Sequence, residues 1–293
     1  MHQLIKQLVA QRPVITDGAW GTQLHARGLG IGELPDAMNL SQPEAVAAVA
    51  GAYVEAGSQI ILTNTFGSNR LRLADYSLAD KVVELNHKGV ELSRRAAAGR
   101  AFVFASIGPT GKMLFTGEVT ESELRAAFEE QAAAIAEAKP DAIVVETMSD
   151  LQEAKIAVEA ARATGLPVVA CMVFDSGKDK DRTIMGVTPE QAAAALEAAG
   201  ADVIGANCGR GLDGFAMICT RLRAGTDRPI WLKPNAGLPE IVDGRPHYKT
   251  TPDEFAQAML ELVDAGASFV GGCCGTNPEF ISAICRVLGR DRR

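Results

Sequence analysis

The sequence predicts an α/β protein built as a single (β/α)8 TIM barrel over residues 1–293, and three observations carry that prediction. Eight short apolar, β-branched runs recur along the chain, each bounded by turn-forming or polar residues. Amphipathic helical stretches alternate with them, and no low-complexity linker interrupts the alternation. A chain of 293 residues that is 47% hydrophobic can bury one large core, and eight strand–helix units in that length match the count and size of a barrel. A doubly wound open sheet is the alternative, but it usually carries a Gly-rich phosphate loop after its first strand.

Eight strands are expected. They end in Val14-Ile15-Thr16-Asp17, Ile60-Ile61-Leu62-Thr63, Phe102-Val103-Phe104-Ala105 and Ala142 to Glu146. Val168 to Cys171, Asp202 to Gly205, Pro229 to Leu232 and Ser268 to Gly271 complete the eight. Between them, Glu121 to Ala138 is rich in Ala, Glu and Gln and reads as a helix. Pro189 to Ala199 reads the same way, with Thr188 as N-cap ahead of a proline at the first helical position. His247-Tyr248 falls in a polar loop containing proline and glycine after strand seven.

Composition excludes several classes of partner. A net charge of −7 with no Lys/Arg-rich run argues against nucleic acid and anionic membranes. No apolar stretch reaches the roughly 18 residues of a membrane span. The N-terminus has no secretory signal, so a cytoplasmic location is expected, and disulfides are not.

Three of the six cysteines stand out. Cys208 in Gly205-Ala206-Asn207-Cys208-Gly209 and the pair Cys273-Cys274, flanked by Gly271-Gly272 and Gly275, each follow a buried strand. Strand exits are where such a barrel keeps its active site. Glycine on both sides of a cysteine pair would loosen a core position and suits close backbone approach instead. Three thiolates leave a four-coordinate zinc one ligand short, which is the donor set of a site that holds a place open for substrate. Cys171, Cys219 and Cys285 lie in apolar surroundings and read as small buried hydrophobes.

Other candidates cluster at the same strand ends. Asp17-Gly18-Ala19-Trp20-Gly21-Thr22 imitates a nucleotide fingerprint but lacks its third glycine and follows an acid. Its backbone N–H groups, from Gly18 to Thr22, suit a carboxylate, while Asp17 supplies an acceptor, a combination fitting a zwitterionic amino acid. Glu146 ends an apolar strand and needs a cationic partner there. Asn64, Thr65 and Asn235 sit on exit loops, where supporting the site and capping the loop are both open readings. Trp20 and Phe66 offer a cation-attracting wall near a donor, with core filling as the equal alternative. His25, His87 and His247 lack metal-ligand spacing and read as solvated.

Taken together, these motifs resemble the zinc-dependent homocysteine S-methyltransferases, the family that includes betaine–homocysteine methyltransferase and the homocysteine-binding module of cobalamin-dependent methionine synthase. The resemblance runs through Asp17 to Thr22, Leu62 to Phe66, Gly108-Pro109-Thr110-Gly111, Val145 to Met148, Asn207-Cys208-Gly209, Pro234-Asn235-Ala236-Gly237 and Gly271 to Thr276, in the family's order. It implies a zinc ion held by Cys208, Cys273 and Cys274, with homocysteine sulfur at the open position. It also implies that Asp17 and Glu146 lie around the substrate's amino group and that Gly18 to Thr22 receive its carboxylate.

The resemblance leaves the methyl donor open among betaine, sulfonium compounds and a methylated corrinoid protein. The chain has no room for a cobalamin module, so a corrinoid donor is expected on a separate protein, and the family's long C-terminal oligomerisation extension is not expected here. A zinc transferase for a different thiol and a non-catalytic homocysteine-binding protein are the alternatives.

Overall fold

The computed structural model describes residues 1–209, 211–242 and 245–290, with the side chains of 241–246 outside the description. Arg210, Asp243 and Gly244 of the loops above, and the last residues to Arg293, lie outside the described residues. Eight parallel strands close almost completely into a barrel: β1 (Val14–Ile15), β2 (Ile60–Leu62), β3 (Phe102–Ile107), β4 (Ala142–Met148), β5 (Val168–Met172), β6 (Val203–Cys208), β7 (Ile230–Pro234) and β10 (Ala267–Val270). Two further strands, β8 (Glu240–Val242) and β9 (Arg245–His247), form an antiparallel hairpin where the sequence predicts only a loop. No alternating hydrophobic pattern marks that hairpin in the sequence, and Pro246 argues against a strand there.

The helices form the outer layer and start where their caps dictate. Thr120, Thr188 and Thr251 each close a capping box, with Glu123, Gln191 and Glu254 as the reciprocal partners. The helix predicted over 121–138 runs Glu121–Glu137, and that predicted over 189–199 runs Pro189–Ala199. Among the described residues, no helix is long and apolar enough to cross a membrane.

Period-2 alternation organises the barrel interior. Phe104, Val144, Val203, Trp231 and Phe269 point inward and pack together, with Trp231 stacked on Phe104 at 6.1 Å and tilted against Phe269 at 5.3 Å. Ile5 and Leu8 of the first helix join this inner cluster. Gly205 lets β6 lie close against β7, since a Cβ there would lie 2.2 Å from the Trp231 carbonyl oxygen. Two residues further along β3, β4 and β7, and four further along β6, the inward row becomes polar: Ser106, Glu146, Lys233 and Asn207. The strands β3, β4, β6 and β7 therefore run past the apolar runs that predict them, because their polar ends satisfy one another.

The β1–β2 seam is bridged by one backbone bond and two bonds to side chains. Gln59 N–H donates to Ile15 O at 2.8 Å, while Gln59 Oε1 accepts from Ile15 N–H at 3.0 Å. At the upper end of the seam, Leu62 N–H donates to Asp17 Oδ2 at 2.7 Å.

Candidate active site

The polar layer is the floor of a cavity of about 350 Å³ at the C-terminal ends of the strands. Cys208 ends β6 in the left-handed region, φ 63°, a conformation that a non-glycine residue adopts only under local constraint. Cys273 and Cys274 follow β10 on a loop tied to β7, with Cys273 N–H donating to Pro234 O at 2.8 Å and Ala236 N–H donating to Cys274 O at 2.9 Å. Gly271 and Gly272 are required by close approach: a Cβ on Gly271 would meet Thr16 Oγ1 at 2.0 Å, and one on Gly272 would meet the same atom of Thr276 at 2.4 Å.

The three sulfurs lie within 4.8 Å of one another, with Cys208 Sγ 4.0 Å from Cys274 Sγ. A tetrahedral zinc with bonds of about 2.3 Å needs its sulfurs about 3.8 Å apart, so the residues fit that ion. The three thiols are hydrogen-bonded to one another. Hydrogen bonds from Cys273 and Cys274 pull the Cys208 thiol well below its usual range, and the bond to Cys208 pushes the other two up. A divalent cation is what releases the remaining protons from such a cluster.

Glu146 shares the cavity. Its Oε1 accepts from Ser106 Oγ at 2.5 Å and its Oε2 from Asn207 Nδ2 at 3.3 Å. Burial raises its pKa, and the charge of Lys233 and the Ser106 bond oppose that rise. Asn207 also donates to Thr147 Oγ1 at 2.7 Å, accepts from Thr147 N–H at 2.8 Å, and has its Nδ2 3.8 Å from Cys273 Sγ. It thus links the carboxylate to the cysteine cluster.

Asp17 lies behind the cavity wall and is not an open acceptor at the mouth. It is buried, and its carboxylate accepts from Lys233 Nζ at 2.5 Å, Trp20 Nε1 at 2.8 Å and Leu62 N–H at 2.7 Å. Burial alone would depress Lys233, but Asp17 and Glu146 together outweigh it and hold the ammonium above its usual range.

The other predicted residues divide between the cavity and its supports. Gly18, Trp20, Thr22, Asn64 and Phe66 line the cavity. Thr22 Oγ1 accepts from Gly275 N–H at 3.3 Å, and the helix Gly21–His25 begins at the cavity with no side chain capping it. Asn64 Nδ2 donates to Pro35 O at 2.8 Å and so holds the Leu34–Asp36 rim. Thr65 is away from the cavity, its hydroxyl donating to Ser106 O at 2.7 Å. Asn235 also sits behind the wall, donating to Gly209 O at 2.6 Å and bracing the Cys208 turn. Cys171, Cys219 and Cys285 are buried away from the cluster.

Sequence reasoning assigned no role to Lys233, Ser106, Asp36 or Tyr248. Lys233 carried a signal, since an ammonium inside Ile230-Trp231-Leu232-Lys233 demands a buried counterion. Asp36 lines the cavity, accepts from Gly67 N–H at 2.9 Å and Ser68 Oγ at 2.6 Å, and is raised to about 6 chiefly by burial. The Tyr248 ring packs on Gly275, and its phenol is pushed up to about 12 by burial and then by the neighbouring cysteines. The hairpin that delivers Tyr248 left no trace in the sequence pattern.

The homocysteine S-methyltransferase family model matches residues 14–288, nearly the whole barrel. The chain belongs to the homocysteine S-methyltransferase family. Among the relatives of this family member is a methionine synthase of Mycobacterium leprae (strain TN), 32% identical over 300 residues, which cover 97% of this chain and 25% of that protein. The methionine synthase of Mycobacterium tuberculosis (strain ATCC 25618 / H37Rv) is 32% identical over 305 residues, 98% of this chain and 25% of that one. The chain thus spans about a quarter of the length of the curated relatives it matches. Among solved structures, the homocysteine methyltransferase MmuM from Escherichia coli superposes in its metallated form with a TM-score of 0.80 at 22% identity. That match covers 96% of this chain and 99% of the other, a likeness of fold.

Proposed function

We propose that this methyltransferase makes methionine from homocysteine, with zinc held by Cys208, Cys273 and Cys274 and a small onium compound such as betaine or a sulfonium as methyl donor. The observation that carries the reading is the placement of three sulfurs within 4.8 Å of one another in the same cavity as the buried Glu146. Bound zinc would supply a fourth position at which a thiol substrate is held as thiolate, its nucleophilic form at neutral pH.

The chain's own residues supply the rest. Glu146, with two neutral donors already on its oxygens, retains acceptor capacity for the substrate's ammonium. The uncapped first turn at Gly21, beside Gly18 and Thr22, offers N–H groups to its carboxylate. Trp20, Phe66 and Leu34 form an apolar wall where a methyl cation equivalent can approach, favoured by the aromatic faces. Methyl transfer converts an anionic sulfur into a neutral thioether and the onium donor into a neutral amine or sulfide; a thioether would be a weak ligand for an ion already bearing three thiolates, so the charge change would favour product release. A cytoplasmic location is part of this reading, in keeping with six cysteines of which none forms a disulfide.

A second reading is favoured by one observation, the match to a quarter of two methionine synthases: the chain activates homocysteine for a methyl group delivered by a separate corrinoid protein. One assay separates the two. Zinc-loaded, reduced protein is offered homocysteine with betaine, a sulfonium donor or a methylcorrinoid, and methionine is quantified. Turnover with a small donor supports the first reading, turnover with methylcorrinoid alone supports the second, and no methionine with any donor sinks both.

A further inference from the structure

Two buried carboxylates flank one buried ammonium at the cavity floor, Glu146 inside the cavity and Asp17 behind its wall. Asp17 and Glu146 come from different strand ends, and Lys233 is 2% exposed and lines the cavity. Lys233 Nζ bonds Asp17 Oδ1 at 2.5 Å and interacts electrostatically with Glu146. The strand geometry explains the arrangement. Lys233 is two residues beyond Trp231 on the inward face of β7, and its register partner on β6 is Asn207, whose amide also reaches Glu146.

We propose that Lys233 is a positioning residue for the amino-acid head of the substrate: it occupies Asp17 and leaves Glu146 as the one ionised carboxylate free to take the substrate's ammonium. The inference rests on the homocysteine reading above and adds to it a residue and a division of labour between the two acids. Glu146 receives only neutral donors, Ser106 and Asn207, so no other bond in the floor fixes its charge. Two carboxylates and one ammonium leave a formal charge of −1, which a single substrate ammonium neutralises. Without Lys233, two adjacent buried carboxylates cannot both stay ionised, and the proton goes to the acid with fewer strong donors. Asp17 keeps the Leu62 N–H and Trp20 Nε1 donors, so Glu146 is the one neutralised. A protonated Glu146 gives up the ionic part of its bond to an ammonium.

Calorimetric titration of the zinc-loaded full chain tests this, using L-homocysteine and 4-mercaptobutanoate, which keeps the thiol and carboxylate and lacks the amino group. In Lys233→Met, homocysteine affinity is expected to fall about ten- to a hundredfold, while 4-mercaptobutanoate affinity stays within about twofold. Lys233→Arg keeps a cation for Asp17 and is expected to recover most of the loss. Asp17→Asn is the second variant should Lys233→Met fail to fold. It turns the Lys233 charge onto Glu146 in competition with the substrate, so homocysteine again weakens and 4-mercaptobutanoate does not. Equal weakening of both thiols would reduce Lys233 to a structural ion pair, and unchanged homocysteine affinity would overturn the proposal outright. Wild-type protein that binds neither thiol would instead overturn the homocysteine reading, and this inference with it.

Discussion

Asn207 donates to Glu146 Oε2 across 3.3 Å from the position next to Cys208. One side chain therefore ties the acid at the end of β4 to the cysteine at the end of β6, and its second acceptor, Thr147, sits in the left-handed region at φ 62°. Replacing Asn207 with Ala leaves the Thr147 N–H and Glu146 short of partners in a buried site. The expected cost is about 1–3 kcal/mol of stability, read as a lower urea midpoint, together with weaker zinc retention because the Cys208 turn loses its neighbour's anchor. An unchanged midpoint would mean that water replaces the amide without loss.

The metal site makes a separate prediction. Cys208→Ala, Cys273→Ala and Cys274→Ala each remove one of three donors and are expected to lower zinc content from about one per chain to a small fraction of that. Cys171→Ala opens a small void in the barrel interior and is expected to keep its zinc, since its sulfur packs toward Gly205. Metal analysis of the four purified variants decides the point, and near-stoichiometric zinc in all of them would remove the site.

Glu146→Gln keeps the shape and the Ser106 and Asn207 contacts while deleting the charge. Homocysteine KM is expected to rise about ten- to a hundredfold, the loss of a charge-assisted bond, with zinc content unchanged. A coenzyme thiol without an ammonium would show no such rise, so an unaltered KM points to a different substrate.

Asp36 gives the pH dependence its sign. Burial raises its carboxyl from 3.8 to about 6, so the folded protein holds this proton more tightly than the unfolded chain. The contribution of Asp36 to stability is fully present below the unfolded value near 3.8 and is lost as pH rises through about 6. Between pH 7.5 and pH 4 the wild type is expected to gain up to about 3 kcal/mol relative to Asp36→Asn. Urea unfolding of both proteins at the two pH values measures the difference, and parallel curves would show that Asp36 titrates normally.

Gly18 tests how tightly the first strand is fitted. A Cβ there would lie 2.7 Å from Thr276 Oγ1 and 2.8 Å from the Tyr53 hydroxyl. Gly18→Ala is expected to cost about 1–3 kcal/mol and to weaken homocysteine binding by moving the Ala19–Thr22 backbone. Full stability with full affinity would show that the β10 loop gives way freely.

The sequence by itself determined the eight strands, the helices over 121–138 and 189–199 and the Thr188 cap of the second, because each rests on local periodicity and capping chemistry that short segments carry alone. It also determined the three cysteines, whose glycine flanks have a physical cause visible as the close approach of Thr16 and Thr276. Tertiary structure alone decided what the polar residues do. Asp17 reads as an open acceptor from its motif, but whether a carboxylate is free depends on donors brought from β2 and β7, 45 and 216 residues away. The β8–β9 hairpin that leads into Tyr248 was invisible because its three-residue strands carry no alternating hydrophobic pattern. Local pattern fixes elements, whereas the charge and reach of a buried polar group are set by partners that only the closed barrel assembles.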